Sequence, residues 1–277
     1  MTKIFDVLPA EAGEAKVKTY PHPERTYYYK VDISDVDQVQ AACTEALKVV
    51  PKGSLAGGVH CAAVATSRKW SNKMVDSIKA SCVSRHFQLE ADILQDFKKT
   101  MDINSTGTFI IDACVADAIN SQYPDEGDFP PRTTEERGII INIASVVGWP
   151  VPARCLTYGV SKSTHRFRIA RQAKLTYLAA VLGITSGAAD FLGPSGIRVC
   201  SVSPAVVASA LMGPDRIPYF ESELDAGVIF PRRTSQPAEV AHAILYLIEN
   251  AMMNDFHMKV DGGWRGSSNW GGAKDRE

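Results

Sequence analysis

At 277 residues the chain fits one α/β core, and 45% hydrophobic with 22% charged residues is the balance of an ordinary globular protein. A net charge of −1 offers no broad basic surface, which argues against nucleic acid and anionic membranes as partners. No run approaches the ~18 apolar residues of a membrane span. Six cysteines without a CxxC pair read as reduced thiols in an intracellular setting, cytoplasmic or mitochondrial, and six histidines without ligand spacing give a metal site no support.

Short apolar runs alternate with longer amphipathic segments, the pattern of βαβ units on a parallel sheet. Residues 26–34 read as a strand and 35–50 as a helix; 57–64 is a buried strand. Residues 104–120 read as a helix and 121–137 as a loop rich in Pro, Asp and Glu. The clearest strand is 138–145, and a long helical stretch begins near Tyr158. A strand over 196–202 stops at Pro204, 237–250 is a helix, and 257–260 is a last strand before Asp261-Gly262-Gly263. The polar, Gly-rich tail from 264 to 277 is expected to be loose.

The chemistry rests on three residues. Ser145 ends a buried strand, and open α/β sheets bind ligands beyond the carboxyl ends of their strands. Tyr158 follows, and Lys162 stands four residues later, so the two share one helix face. An ammonium beside a phenol favours the phenolate and draws the tyrosine pKa down from its reference of ~10. Such a hydroxyl can protonate a carbonyl oxygen or take the proton of an alcohol, with Ser145 holding that oxygen. A surface Tyr/Lys pair without function is the plain alternative.

Ser145 and Tyr158-Gly159-Val160-Ser161-Lys162 resemble the Ser…YxxxK signature of short-chain dehydrogenases/reductases, and Asn104 in Ile103-Asn104-Ser105-Thr106-Gly107 resembles that family's helix asparagine. The resemblance runs from about residue 2 to 263. It is nearest to the branch acting on 3-hydroxyacyl-CoA and 17β-hydroxysteroids, through Pro231-Arg232-Arg233, Glu239-Val240-Ala241-His242 and Val260-Asp261-Gly262-Gly263.

It implies a doubly wound, mostly parallel Rossmann-type domain over 1–263. It also implies hydride transfer between NAD and a secondary alcohol or ketone, in a homodimer or homotetramer. Tyr158 would be the acid/base, Lys162 would tune it and bind ribose, Ser145 would hold the substrate oxygen, and Asn104 would support a water linked to the lysine. Asp6 takes the place of the acid that favours NAD over NADP. Asp32 and Ile33 match the segment that touches adenine. Cys61 and Ala62, in Val59-His60-Cys61-Ala62-Ala63, match the strand end beside the cofactor, with His60 in a structural role. Val207 and Ser209 match the nicotinamide contacts.

Two departures stand against this pattern. The first strand, with its GxxxGxG turn and the helix after it, has no counterpart, because Met1 falls almost at the second strand. Gly183-Ile184-Thr185-Ser186-Gly187 is no substitute. Residues 164–179 lengthen the Tyr158 helix by sixteen residues, a rotation of about 160° if the helix ran on; the stretch 85–88 also looks long. A late start codon and a translated intervening sequence would account for both, and full-length transcripts would show it. The rival from another class is a catalytically impaired paralogue or truncated isoform that acts as a non-enzymatic subunit or binding protein.

Overall fold

A computed structural model describes residues 1–65, 91–124, 132–149, 151, 156–163, 180–209, 211, 224 and 227–265. The expectations for 85–88, 164–179 and the tail beyond 265 lie outside the described residues.

The first unit is β1 (Thr2–Asp6), α1 (Ala10–Val17) and β2 (Thr26–Lys30), with β1 and β2 paired in parallel and Thr2 opposite Thr26. Tyr28 and Tyr29 are adjacent on β2 and so face opposite sides. Gly13 of α1 lies so close to the Tyr28 ring that a Cβ would collide with it, which puts α1 on the Tyr28 side. Tyr29 and Phe5 instead join the core made by Val31, Ile33, Val39 and Ala42 with Ile111 and Cys114. Helix α2 (Val36–Val49) therefore packs on the other face; Asp35 caps it, accepting from the Asp37 and Gln38 backbone N–H groups.

The second sheet is β3 (Gly57–His60), β4 (Gly138–Ile143), β5 (Ile197–Pro204) and β6 (His257–Val260), in that order and all parallel. Alternation along β4 and β5 builds two cores. Ile140, Ile197 and Val199 pack with Ala116 and Ile119 of α4 (Gly107–Asn120) and with Ala189 and Leu192 of α6 (Val181–Leu192). Ile139, Ile141, Cys200 and Val202 pack on Leu247 of α7 (Pro237–Glu249). Helices α2, α4 and α6 thus cover one face, α1 and α7 the other. This is the doubly wound parallel α/β class the alternating sequence leads one to expect.

Local bounds differ from the sequence reading in ways that bear on the site. Helix begins at α3 (Ala91–Met101), ahead of residue 104, and reaches α4 through a π-helical turn, Asp102–Thr106. β4 ends at Ile143, two residues before Ser145. Pro204 is the last residue of β5, opposite Val260, rather than the residue that stops it. The Tyr158 stretch is α5 (Leu156–Lys162), with α6 beginning at Val181. Among the described residues no helix is long and apolar enough to cross a membrane.

One polar cluster is sealed between α4, β4 and α6. The Asn142 amide donates to Asp112 Oδ2 at 2.8 Å and to Thr185 Oγ1 at 3.2 Å, while Asp112 Oδ1 and Asn142 Oδ1 have no partner. Burial pushes the Asp112 carboxyl up to about 7, against the opposing pull of the Asn142 hydrogen bond. The folded value lies above the unfolded one. The stability this group contributes is therefore complete below pH ~4 and is lost as pH rises through about 7. Asp112→Asn keeps an acceptor for Asn142 and abolishes the titration. Urea unfolding of the variant is expected to show a gain of about 2–4 kcal/mol over the parent at pH 8 and none near pH 4. An equal effect at both pH values would contradict a charged buried carboxylate.

Candidate active site

Ser145 follows β4 by two residues and accepts from the Val147 N–H, capping a 3₁₀ turn over Val146–Gly148. That turn lies against α5 with no room to spare. A Cβ on Gly148 would come 2.5 Å from the Lys162 carbonyl oxygen, and one on Gly159 would come 3.0 Å from the Val147 oxygen. Two glycines therefore let the Ser145 turn and the Tyr158 helix touch backbone to backbone. The partly buried Tyr158 packs against the cluster of Val146, Val147, Leu224, Val228 and Trp264.

Lys162 is 1% exposed, and its ammonium donates to the Ile143 carbonyl oxygen at the end of β4, 2.8 Å away. Burial lowers its pKa to about 8, with a weaker opposing pull from the Cys61 thiol. Because that value lies below the unfolded one, the burden of a buried ammonium is felt below pH 8 and fades as pH rises towards 10. His60, at the end of β3, is also buried. Burial, and secondarily the charge of Lys162, lowers its pKa to about 3, so it is neutral at physiological pH, and its Nε2 has no partner. His60 and Cys61 both lie within electrostatic reach of Lys162.

Asn104 sits in the π-helical turn, where the widened backbone turns one side chain out of the helix repeat. Its Oδ1 accepts from the Val64 N–H at 2.8 Å, and its Nδ2 donates to the Val64 carbonyl at 2.9 Å and to Ser161 Oγ at 3.0 Å. The carboxamide thus ties the segment after β3 to α5. Ser161, which in turn donates to the Tyr158 carbonyl at 2.7 Å, is a site residue the sequence reading missed. Its position between tyrosine and lysine was the available signal.

The remaining candidates line the carboxyl end of the sheet. Asp6 closes β1, and its carboxylate accepts from the Leu8 N–H. The Asp32 carboxylate is occupied by the N–H and hydroxyl of Ser34, and the Ile33 side chain is in the core against Gly107, leaving its backbone as the part that can face a ligand. Cys61 is exposed and Ala62 half-buried. Residues 206–209 are tied to Ser235: Val207 forms a parallel bridge with it, and the Ala208 N–H donates to its carbonyl. Ser209 is exposed. Among the described residues no group of His, Cys, Asp or Glu is arranged to hold a metal.

The family described as enoyl-(acyl carrier protein) reductase matches residues 4–265 of this chain. The chain belongs to the short-chain dehydrogenase/reductase family. As a short-chain dehydrogenase/reductase it is an oxidoreductase acting on CH–OH groups. It is 29% identical over 266 residues to the 3-hydroxyacyl-CoA dehydrogenase type-2 of Bos taurus, covering 95% of this chain and 85% of that one. Its fold is similar to that of the 3-hydroxyacyl-CoA dehydrogenase type-2 from Mycobacterium avium, with a TM-score of 0.67 at 24% identity, covering 95% and 85% of the two chains. It also resembles a 3-oxoacyl-[acyl-carrier protein] reductase with bound NAD from Brucella melitensis, with a TM-score of 0.64 at 21% identity over 95% and 81%.

Proposed function

We propose that this chain interconverts a secondary alcohol and a ketone with NAD as hydride carrier, and that its substrate is a 3-hydroxyacyl-CoA or a steroid-like alcohol. The observation that carries the reading is the contact of the Ser145 turn with α5. It brings the Ser145 turn against the helix that carries Tyr158 and Lys162, and the Lys162 ammonium is bonded to the last residue of β4. Bound NAD supplies the hydride acceptor. Tyr158 takes the hydroxyl proton of the alcohol as its C–H bond breaks and returns it in the reverse direction, while Ser145 holds the same oxygen. Lys162 places a positive charge below the tyrosine, and Ser161 with Asn104 positions α5.

The fit of a dinucleotide differs between its two halves. Tyr158, Lys162 and the loop pinned by Ser235 suit the nicotinamide riboside, and Asp6 suits the adenosine ribose, favouring NAD over NADP. No GxxxGxG turn, which would present successive backbone N–H groups to a pyrophosphate, follows any described strand. Lys162 must also leave the Ile143 carbonyl, or share its donors with it, to reach a ribose hydroxyl.

These last two points support a second reading, a catalytically impaired relative that keeps the fold and serves as a binding subunit. Titration of the purified protein with NAD separates the two. Quenching of tryptophan fluorescence, or a rise in melting temperature that saturates with NAD, is expected for the enzyme. No response at millimolar NAD rules the enzyme out for this chain. A homo-oligomeric assembly is part of the proposal.

A further inference from the structure

We propose that Asp112 is a proton lock: as a neutral acid it holds the first turns of α4 on β4 and α6. Its ionisation is coupled to the parting of those turns from the sheet, which releases the hold of Asn104 on α5. Turnover plays no part in the test below, so the lock and the oxidoreductase reading fail separately.

Every hydrogen in the cluster can be followed. The Asn142 amide has two, and they go to Asp112 Oδ2 and Thr185 Oγ1. The Thr185 hydroxyl has one, which goes to the Val181 carbonyl at 2.8 Å. Three polar atoms are then left without a partner among the described residues: Asp112 Oδ1, Asn142 Oδ1 and His60 Nε2. None of the three residues is more than 4% exposed. His60 and Asn142 are paired across β3 and β4, so their side chains leave the sheet on the one face that α4 covers. A proton on Asp112 Oδ1 turns an unpaired acceptor into a donor, with Asn142 Oδ1 as the acceptor at hand. An ionised carboxylate leaves a charge and three unpaired atoms sealed in the interior. The cluster is therefore built for the acid, and the rise of the carboxyl pKa to about 7 agrees with it.

Few other charges face this group. From β3 it meets His60, which stays neutral; from β4, β5 and α6 it meets Asn142, Ser201 and Thr185, which do not titrate. Helix α2 brings Cys43 to the Cys114 side of α4, and Lys162 of α5 lies beyond His60. Of these groups only Lys162 changes charge near neutrality, at about 8.

A hinge lies close by. The π-helical turn Asp102–Thr106 joins α3 to α4, and such a turn interrupts the regular ladder of helix hydrogen bonds. Asp112 stands about 12 Å along the helix axis from Asn104, at ~1.5 Å per residue. A displacement at Asp112 thus passes to Asn104, and from there to Ser161 and the Tyr158 carbonyl. In the opened form Asp112 meets water and ionises as an ordinary carboxyl. The open population therefore rises about tenfold per pH unit from pH ~4 to about 7, then levels off.

The test is hydrogen exchange on the whole chain at pH 5 and pH 7, corrected for the intrinsic pH dependence of exchange. In the parent, opening at the amides of 104–113 and of α5 is expected to be about 10²-fold more frequent at pH 7, with α7 unchanged. In Asp112→Asn the two pH values are expected to give one opening frequency. Infrared spectroscopy gives a reading on the parent alone. The band of a protonated carboxyl is expected at pH 6, where exposed carboxyls are ionised, and is expected to be lost by pH 9. Absence of that band, no rise in the parent, or the same rise in the variant overturns the proposal. So does a rise shared equally by α7, because the whole chain would then be unfolding.

Discussion

Tyr158→Phe is expected to slow oxidation of a secondary alcohol by about 10²–10⁴-fold, or ~3–5 kcal/mol in the activation barrier. The change removes one hydroxyl and leaves the ring to fill its place among Val146, Val147 and Trp264, so stability is expected to stay within about 1 kcal/mol of the parent. Cofactor affinity, read from tryptophan quenching, is expected to be retained. That combination separates an acid/base from a packing residue. A variant that keeps turnover contradicts the assigned role. One that loses turnover, affinity and stability together assigns Tyr158 to structure.

Arg198→Ala carries the largest expected cost in stability. The Arg198 guanidinium lies inside the protein on β5. Nε and Nη2 both donate to Glu136 Oε1, Nη1 donates to the Leu247 and Met253 carbonyls at 2.8 Å each, and Nη2 also donates to the Ile248 carbonyl at 3.1 Å. Three of its acceptors are main-chain oxygens at the end of α7 and in the turn after it. The residue therefore caps that helix and fastens it to the sheet. Alanine strands those carbonyls, at about 1–3 kcal/mol for each one that water does not reach, so a total near 3 kcal/mol is expected. In a chain of this size that corresponds to a fall of about 6–12 °C in melting temperature. Arg198→Lys is expected to recover little of it, because one ammonium cannot span acceptors set for a planar fork. A loss below 1 kcal/mol would mean that water replaces the guanidinium.

Much of the fold could be read from apolar runs, because strands buried on both faces leave continuous stretches such as 138–143. The proposed Ser145–Tyr158–Lys162 set draws on residues that follow one strand and lie in one helix, so its spacing is visible in the sequence. What escaped has physical causes. The helix α3 is polar on much of its surface, and the π-helical turn after it breaks the 3.6-residue period, so the sequence reading begins helix only at residue 104. The helix α1 is short and carries Gly13, which weakens any propensity argument. Most partners of Asn104 and Arg198 are backbone groups 40 to 55 residues away, and main-chain groups leave no mark in a sequence. The split of the sheet belongs to the same class, since apolar runs state that strands exist and not which of them pair.

The sealed ammonium of Lys162 has a chemical consequence. Acylating reagents attack a free amine from water, and this one is sealed from water while α5 lies against the Ser145 turn. Its rate of labelling, set against that of the exposed Lys48 or Lys259, would report how often that helix lifts from the Ser145 turn. The buried lysine is thus a built-in clock for the opening of the helix that carries it.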